Sequence, residues 1–333
     1  MKNKIKIQQH LSENRPILSK KWKIEKYNRK RKNNINLRRI FIILFFISFF
    51  GLIVIIIYIN KFMKNNNNDI RHKRKYKQDD LTLVTAYYQI PSKHSKEEYI
   101  KWMKLTLQLN CSMIIFSSKN FTEKIKEIRP ISLHNKTVFI ELEIEDFYSY
   151  KKYINEFNKA HRIDPERTLH SVPLYLVWAE KCHFLKKAII NDYFDSTCFY
   201  WIDAGYFRKE YEIGNFTNNW PSTKKCYEDK RFLLYQIRMI FENEKNLLLN
   251  FDRNAHRKLQ LELNVGGGMF GGHFENVLKF VDYYYETIEI FAKKNLFIGK
   301  EQNIFAFVAL SHPEIVNLIY YPKNYYYFRY YLS

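Results

Sequence analysis

The stretch Thr197-Cys-Phe-Tyr-Trp-Ile202, running into Asp203-Ala204-Gly205, is an apolar, aromatic run that stops on a carboxylate and two small residues. Its length and composition predict a buried strand. In a parallel sheet, ligands gather beyond the carboxyl ends of the strands. Asp203 would therefore stand where it can reach a metal ion or a sugar hydroxyl; the alternative is that it caps a turn. Upstream, Leu174, Trp178, Cys182, Leu185, Ala188 and Ile189 follow Pro173 near helical spacing. Further back, Leu81 to Tyr88, Cys111 to Ser117 and Thr137 to Ile144 read as strands. Helices are expected after Ser95, where Ser95 and Glu98 form a capping box, near 122–128 and over 145–160. Strands alternating with helices predict an α/β fold with a mostly parallel sheet flanked by helices.

Downstream, Lys258 to Leu263 reads as a strand leading into Gly266-Gly-Gly-Met-Phe-Gly-Gly272, which holds five of the nine glycines of the chain. Glycine is needed where φ is positive or where a ligand touches the backbone, and elsewhere it costs chain entropy. The cluster has no Gly-Lys-Ser/Thr, so it is not a P-loop, and it does not open a helix after the first strand as a dinucleotide fingerprint does. It is expected to be a loop that a ligand approaches, or else a bulged hairpin. A late helix over 300–310 begins with Glu301-Gln302. Lys181 and Arg208 could neutralise a diphosphate, and His273 and His312 are candidate metal ligands.

The chain carries 55 Lys/Arg against 34 Asp/Glu, a formal +21. Of this, residues 1–39 hold +12 and residues 81–333 only +5. Between them, Ile40 to Ile59 has no charge and is interrupted only by Ser48, Gly51 and Tyr58, which is long enough for a helix to cross a bilayer. The denser Lys/Arg on its N-terminal side, including Arg29-Lys-Arg-Lys32 and Arg38-Arg39, predicts a cytosolic N-terminus and a signal anchor of type II. The expected plan is a basic tail at 1–39, an anchor at 40–59, a polar stem at 60–80 and a luminal domain at 81–333. Basic charge that flanks a membrane span argues against a nucleic-acid partner; the bilayer is the partner instead.

A luminal domain agrees with two further features. Cys111, Cys182, Cys198 and Cys226 are even in number and lie beyond the anchor, as do the acceptor sequons at Asn110, Asn120, Asn135 and Asn215. Disulfides are permitted, and sequence does not choose among the three pairings of four cysteines or exclude free thiols.

From Leu81 almost to the C-terminus the chain resembles the HtrL/YibB family. The resemblance is carried by Thr82-Leu-Val-Thr85-Ala86, Trp178-Ala-Glu-Lys181 and Phe199-Tyr-Trp-Ile-Asp203-Ala-Gly205 with Phe207-Arg208. It continues through Trp220-Pro221, Gly267-Gly268-Met-Phe-Gly271-Gly272 and Glu301-Gln302. The family's pattern is similar to glycosyltransferases of the GT-A type. It implies a luminal enzyme of the Golgi or endoplasmic reticulum that moves a sugar from a nucleotide-sugar donor to a glycan or glycoprotein acceptor. Asp203 and Glu301 would be catalytic. Thr85, Lys181, Gly205, Arg208, Gly266, Gly267, Gly268, Gly271, Gly272 and Gln302 would bind the donor. Mn²⁺ or Mg²⁺ would sit at Asp203. Here the chain departs from the pattern, because the second carboxylate of Asp-x-Asp is Gly205; Glu301, His273 or another group would have to supply a further ligand. The competing reading is a membrane-tethered protein that keeps the fold and binds glycans or nucleotide sugars without catalysis.

Overall fold

A computed structural model describes residues 80–333, apart from 92–93, 215, 217–219, 263 and 322–326, together with residues 45, 49–51, 53 and 55. The chain divides into the units Met1–Arg74 and Lys75–Ser333. In the first, the six described residues are helical and exposed. The rest of the expected span from Ile40 to Ile59, the tail at 1–39 and the stem up to residue 79 lie outside the described residues. Among the described residues no helix is long and apolar enough to cross a membrane.

The second unit begins before the expected boundary at Leu81. Asp80 is buried; its carboxylate accepts the backbone N–H of Thr197 at 2.5 Å and the hydroxyl of Tyr227. It therefore belongs to the folded unit and not to the stem.

The elements in chain order are β1 (Leu81–Tyr87), α1 (Lys96–Thr106), β2 (Ser112–Ser117), α2 (Lys119–Ile128), β3 (Thr137–Glu141), α3 (Tyr148–Ile163) and α4 (Val172–Asn191). They continue with β4 (Cys198–Ile202), α5 (Glu210–Ile213), α6 (Lys224–Glu228), β5 (Phe232–Gln236), α7 (Glu242–Leu249) and α8 (Arg253–Leu261). The last are β6 (Val265–His273), α9 (Phe274–Lys293), α10 (Glu301–Ser311), β7 (Val316–Tyr320) and α11 (Tyr327–Tyr331). The predicted capping box forms at the start of α1, where Ser95 Oγ accepts the N–H of Glu98 and Glu98 accepts the N–H of Ser95. Ser171 caps α4, and Pro173 sits in its first turn, where its missing N–H is harmless.

The strands form one seven-stranded sheet in the order β3-β2-β1-β4-β6-β5-β7. The pairs β1/β2, β1/β4, β2/β3 and β5/β7 are parallel, and only β6 runs against its neighbours. The expected α/β class with a mostly parallel sheet holds. One face of the sheet, with Val84, Ile114, Trp201 and Phe270, packs under α3, α4, α9 and α10. The other, with Leu83, Ile115, Tyr200 and Leu233, packs under α1, α2 and α11.

Two expectations fail. Lys258 to Leu261 is not a strand, and Leu263 lies outside the described residues: Asp252 accepts the N–H of Ala255 at 2.8 Å, and Ala255, His256, Leu259 and Gln260 bury one helical face of α8. The glycine cluster is not a loop either. It is strand β6, inside the sheet between β4 and β5.

Candidate functional site

The chain lays β1, β2 and β3 outward in one direction and then places β4 on the opposite side of β1. The carboxyl ends of β1 and β4 therefore diverge, and such a reversal point opens a crevice. A cleft of about 480 Å³ lies there. It is lined by the end of β1 and the segment that follows it (Ala86 to Pro91), by Trp201 and Asp203 to Gly205 at the end of β4, and by Arg208. Leu174, Val177, Trp178 and Lys181 line it from α4, at a spacing that places all four on one helical face. Lys96, Lys181 and Arg208 face a single carboxylate, Asp203, among the lining residues, so the cleft favours an anionic ligand.

Asp203 is held from three sides. Its backbone N–H donates to Gly268 O at 2.8 Å, and Trp201 Nε1, two residues back on the same side of the strand, donates to Oδ1 at 2.7 Å. Lys181 Nζ lies 3.0 Å from the same oxygen. That ammonium also lies 3.0 Å from Glu301 Oε1 and donates to Gly267 O at 3.0 Å. The Lys181 side chain is 4% exposed and that of Glu301 6%, whereas that of Asp203 is 42% exposed. Burial works to lower the Lys181 pKa, but the Asp203 and Glu301 carboxylates outweigh it and raise the pKa above the ordinary lysine value. No described residue bonds to Oδ2 of Asp203, which is the oxygen left to a ligand.

The other expected site residues divide. Gly205 and Arg208 line the cleft, and the Arg208 guanidinium lies 4.4 Å above the Trp102 ring. Gly267 and Gly268 wrap the ion cluster: a Cβ on Gly267 would fall 2.5 Å from Glu301 Oε1, and one on Gly268 3.5 Å from Asp203 Oδ2. Glu301 faces Lys181 and does not line the cleft; Gln302 Nε2 donates to Val265 O at 2.9 Å. Both residues clamp β6 from the start of α10. Gly266 packs on Tyr235. Thr85 is wholly buried beside Ile115 and away from the cleft, with no hydrogen-bond partner for its hydroxyl among the described residues.

Gly271 and Gly272 are structural. Their φ values are +148° and +155°, and a Cβ would meet Phe199 O at 2.1 Å and Arg231 O at 2.6 Å respectively. Neither histidine joins Asp203. His273 pairs with Cys198 at the opposite end of β4, and His312 stacks on Tyr283 at the far end of α10. Among the described residues, Asp164, Glu166 and His170 lie close enough together to hold an ion. Asp164 already accepts from Tyr175 and pairs with His170, and Glu166 pairs with Lys300.

Several participants carry no sequence signal that singles them out. Tyr88, Gln89 and Ile90 read as core or turn residues until the sheet order brings them to the cleft. Trp201 could be found, since a residue two before a strand-end carboxylate shares its face. Glu180, beside Lys181, is wholly buried and turns the other way, accepting the N–H groups of Tyr148 and Ser149 at the start of α3. Burial outweighs those bonds and pushes its pKa up to about 7.

Of the four cysteines, Cys198 and Cys226 form a disulfide that ties the start of β4 to α6, while Cys111 and Cys182 are free thiols, so none of the three complete pairings forms. Among curated proteins none matches the chain. The family described as "Bacterial protein of unknown function (HtrL_YibB)" matches residues 79–333, which is most of the sequence and the whole of the sheet and its cleft, and the chain belongs to that family.

Proposed function

We propose that the chain is a membrane-anchored glycosyltransferase that moves a sugar from a nucleotide-sugar donor to a glycan or glycoprotein acceptor. The observation that carries this reading is the cleft at the divergence of β1 and β4, which joins one strand-end carboxylate to basic and aromatic side chains. Sugar transfer needs charge opposite a departing diphosphate and an acceptor for a hydroxyl proton. Arg208 and Lys96 meet the diphosphate. Tyr88, Tyr99 and Trp178 offer flat faces for the base or the sugar. Asp203 Oδ2 accepts from a sugar hydroxyl, and Glu301, turned away from the cleft, is a positioning residue acting through Lys181.

On this reading residues 40–59 anchor the chain and the sheet domain is luminal in the secretory pathway. The Cys198–Cys226 bridge suits an oxidising compartment. The exposed asparagines of three sequons, Asn110, Asn120 and Asn135, are accessible to glycan attachment. Protease added to sealed microsomes should spare the domain; its digestion would refute this topology.

The enzyme reading is tested by thermal-shift titration of the full chain in detergent against nucleoside diphosphates and nucleotide sugars, followed by assay of sugar release or transfer. At least one donor should raise the melting midpoint and be turned over. If none does either, the proposal fails. A donor that binds without turnover would favour the non-catalytic alternative.

A further inference from the structure

We infer that the ammonium of Lys181 occupies the place where a GT-A-type site holds a divalent cation, so that Asp203 is a fixed, ammonium-paired carboxylate for ligand hydroxyls and not a metal ligand. This deepens the reading above and rests on it for the nature of the ligand. The donor set is the first argument. An ammonium has three N–H groups, and Asp203 Oδ1, Glu301 Oε1 and Gly267 O each lie 3.0 Å from Lys181 Nζ. Two carboxylates from different elements thus converge on one cation, and that cation is part of the chain. A divalent ion bound by the same two oxygens would lie against a buried ammonium, where repulsion is little screened.

The second argument concerns replacements for those ligands. Hard cations such as Mg²⁺ keep a near-octahedral shell of oxygens, yet Asp203 Oδ1 is already shared by Lys181 and the Trp201 indole. The position two residues after Asp203 is Gly205, where even a Cβ would come 3.3 Å from the Trp102 ring. A carboxylate there would have to push the indole aside. His273 is at the other end of β4. Two carboxylates around one ammonium leave a single net negative charge, and without further protein ligands that is a poor site for a divalent ion. The diphosphate is left to Arg208 and Lys96, and Asp203 presents one fixed oxygen to the cleft.

The test reads metal binding directly. Free Mn²⁺ is measured by electron paramagnetic resonance as full-length protein in detergent is added. Wild type and Asp203→Asn should deplete the signal equally, since any uptake at Asp164, Glu166 and His170 is common to both. Lys181→Ala uncovers two carboxylates, so it should deplete additional Mn²⁺, and its melting midpoint should climb with the logarithm of Mn²⁺ concentration. Adding Glu301→Gln to Lys181→Ala should abolish that gain. Wild type depleting more Mn²⁺ than Asp203→Asn would overturn the inference. So would a folded Lys181→Ala protein that gains no Mn²⁺. If Lys181→Ala does not fold, the comparison of wild type with Asp203→Asn decides alone. No nucleotide sugar enters these measurements, so their failure would leave the transferase reading standing with a metal, and failure of the donor screen would leave the metal result intact.

Discussion

The two ends of β6 are built from the same residue for opposite reasons. At Gly271 and Gly272 the strand is pressed against the main chains of β4 and of Arg231, and a side chain would collide with backbone. At Gly267 and Gly268 the nearest atoms belong to the side chains of Glu301, Gln302, Tyr206 and Asp203. There Leu234 pairs with Phe270 while Gln236 already pairs with Val265, so Gly266 to Met269 bulge out of the β5 ladder toward the ion cluster. A dense glycine run is thus half a packing device and half a site wall. The boundary between the halves is set by the bulge, not by composition.

The largest expected effect tests the packing half. Gly271→Ala places a methyl against Phe199 O and the Tyr200 backbone at a φ that side chains rarely adopt. Overpacking and backbone strain together should cost about 3–5 kcal/mol, seen as a lower urea midpoint. The protein that remains folded should keep donor affinity. A variant as stable as wild type would break the distinction between the two ends.

Gly267→Ala should be milder, because the clash is with a carboxylate that can move. About 1–3 kcal/mol of stability is at stake. The sharper readout is the site: displacing Glu301 loosens Lys181 and with it Asp203, so donor binding should weaken more than in Gly271→Ala. Equal binding by the two alanine variants, with matched folded fractions, would show that the bulge has no part in the site.

Asp203→Asn should affect stability least. The side chain is 42% exposed and the Trp201 N–H retains an acceptor, so the lost ion pair should cost no more than about 1 kcal/mol. Donor affinity should nevertheless fall at least about tenfold, the equivalent of one charge-assisted hydrogen bond. Unchanged affinity and turnover would reduce Asp203 to a turn cap.

Much of this is legible in the sequence, and the parts that are not share a cause. Strands with uniform apolar composition, such as Leu81 to Tyr87 and Cys198 to Ile202, announce themselves, and a carboxylate closing the second marks a strand end. Lys181, Asp203, Gly267 and Glu301 are recognisable one by one. Their convergence on one ammonium is not, because it depends on β6 running antiparallel beside β4, a direction that residue spacing does not encode. The same reversal carries His273 away from Asp203, although Gly268 and His273 share a strand. Thr85 misleads for a related reason: on β1 its alternation places it on the face opposite Val84 and Ala86, away from α4. The short strands Phe232–Gln236 and Val316–Tyr320 are recognised only through their pairing with β6 and with each other.

The order of the sheet also has a consequence in time. β5 precedes β6 in the chain, yet β6 lies between β4 and β5. A polypeptide emerging from its N-terminus therefore makes both banks of a gap before it makes the strand that fills it. Until residues 265–273 arrive, β4 presents one unpaired edge and β5 two, since its other partner β7 comes later still, and such edges are templates for pairing with other chains. Gly267 arrives with β6 and Glu301 later still, so the ion cluster closes only after the gap is filled. Chains halted before Val265 should accordingly aggregate, whereas chains completed through β7 at Tyr320 should not, a contrast that sedimentation of stalled translation products would measure.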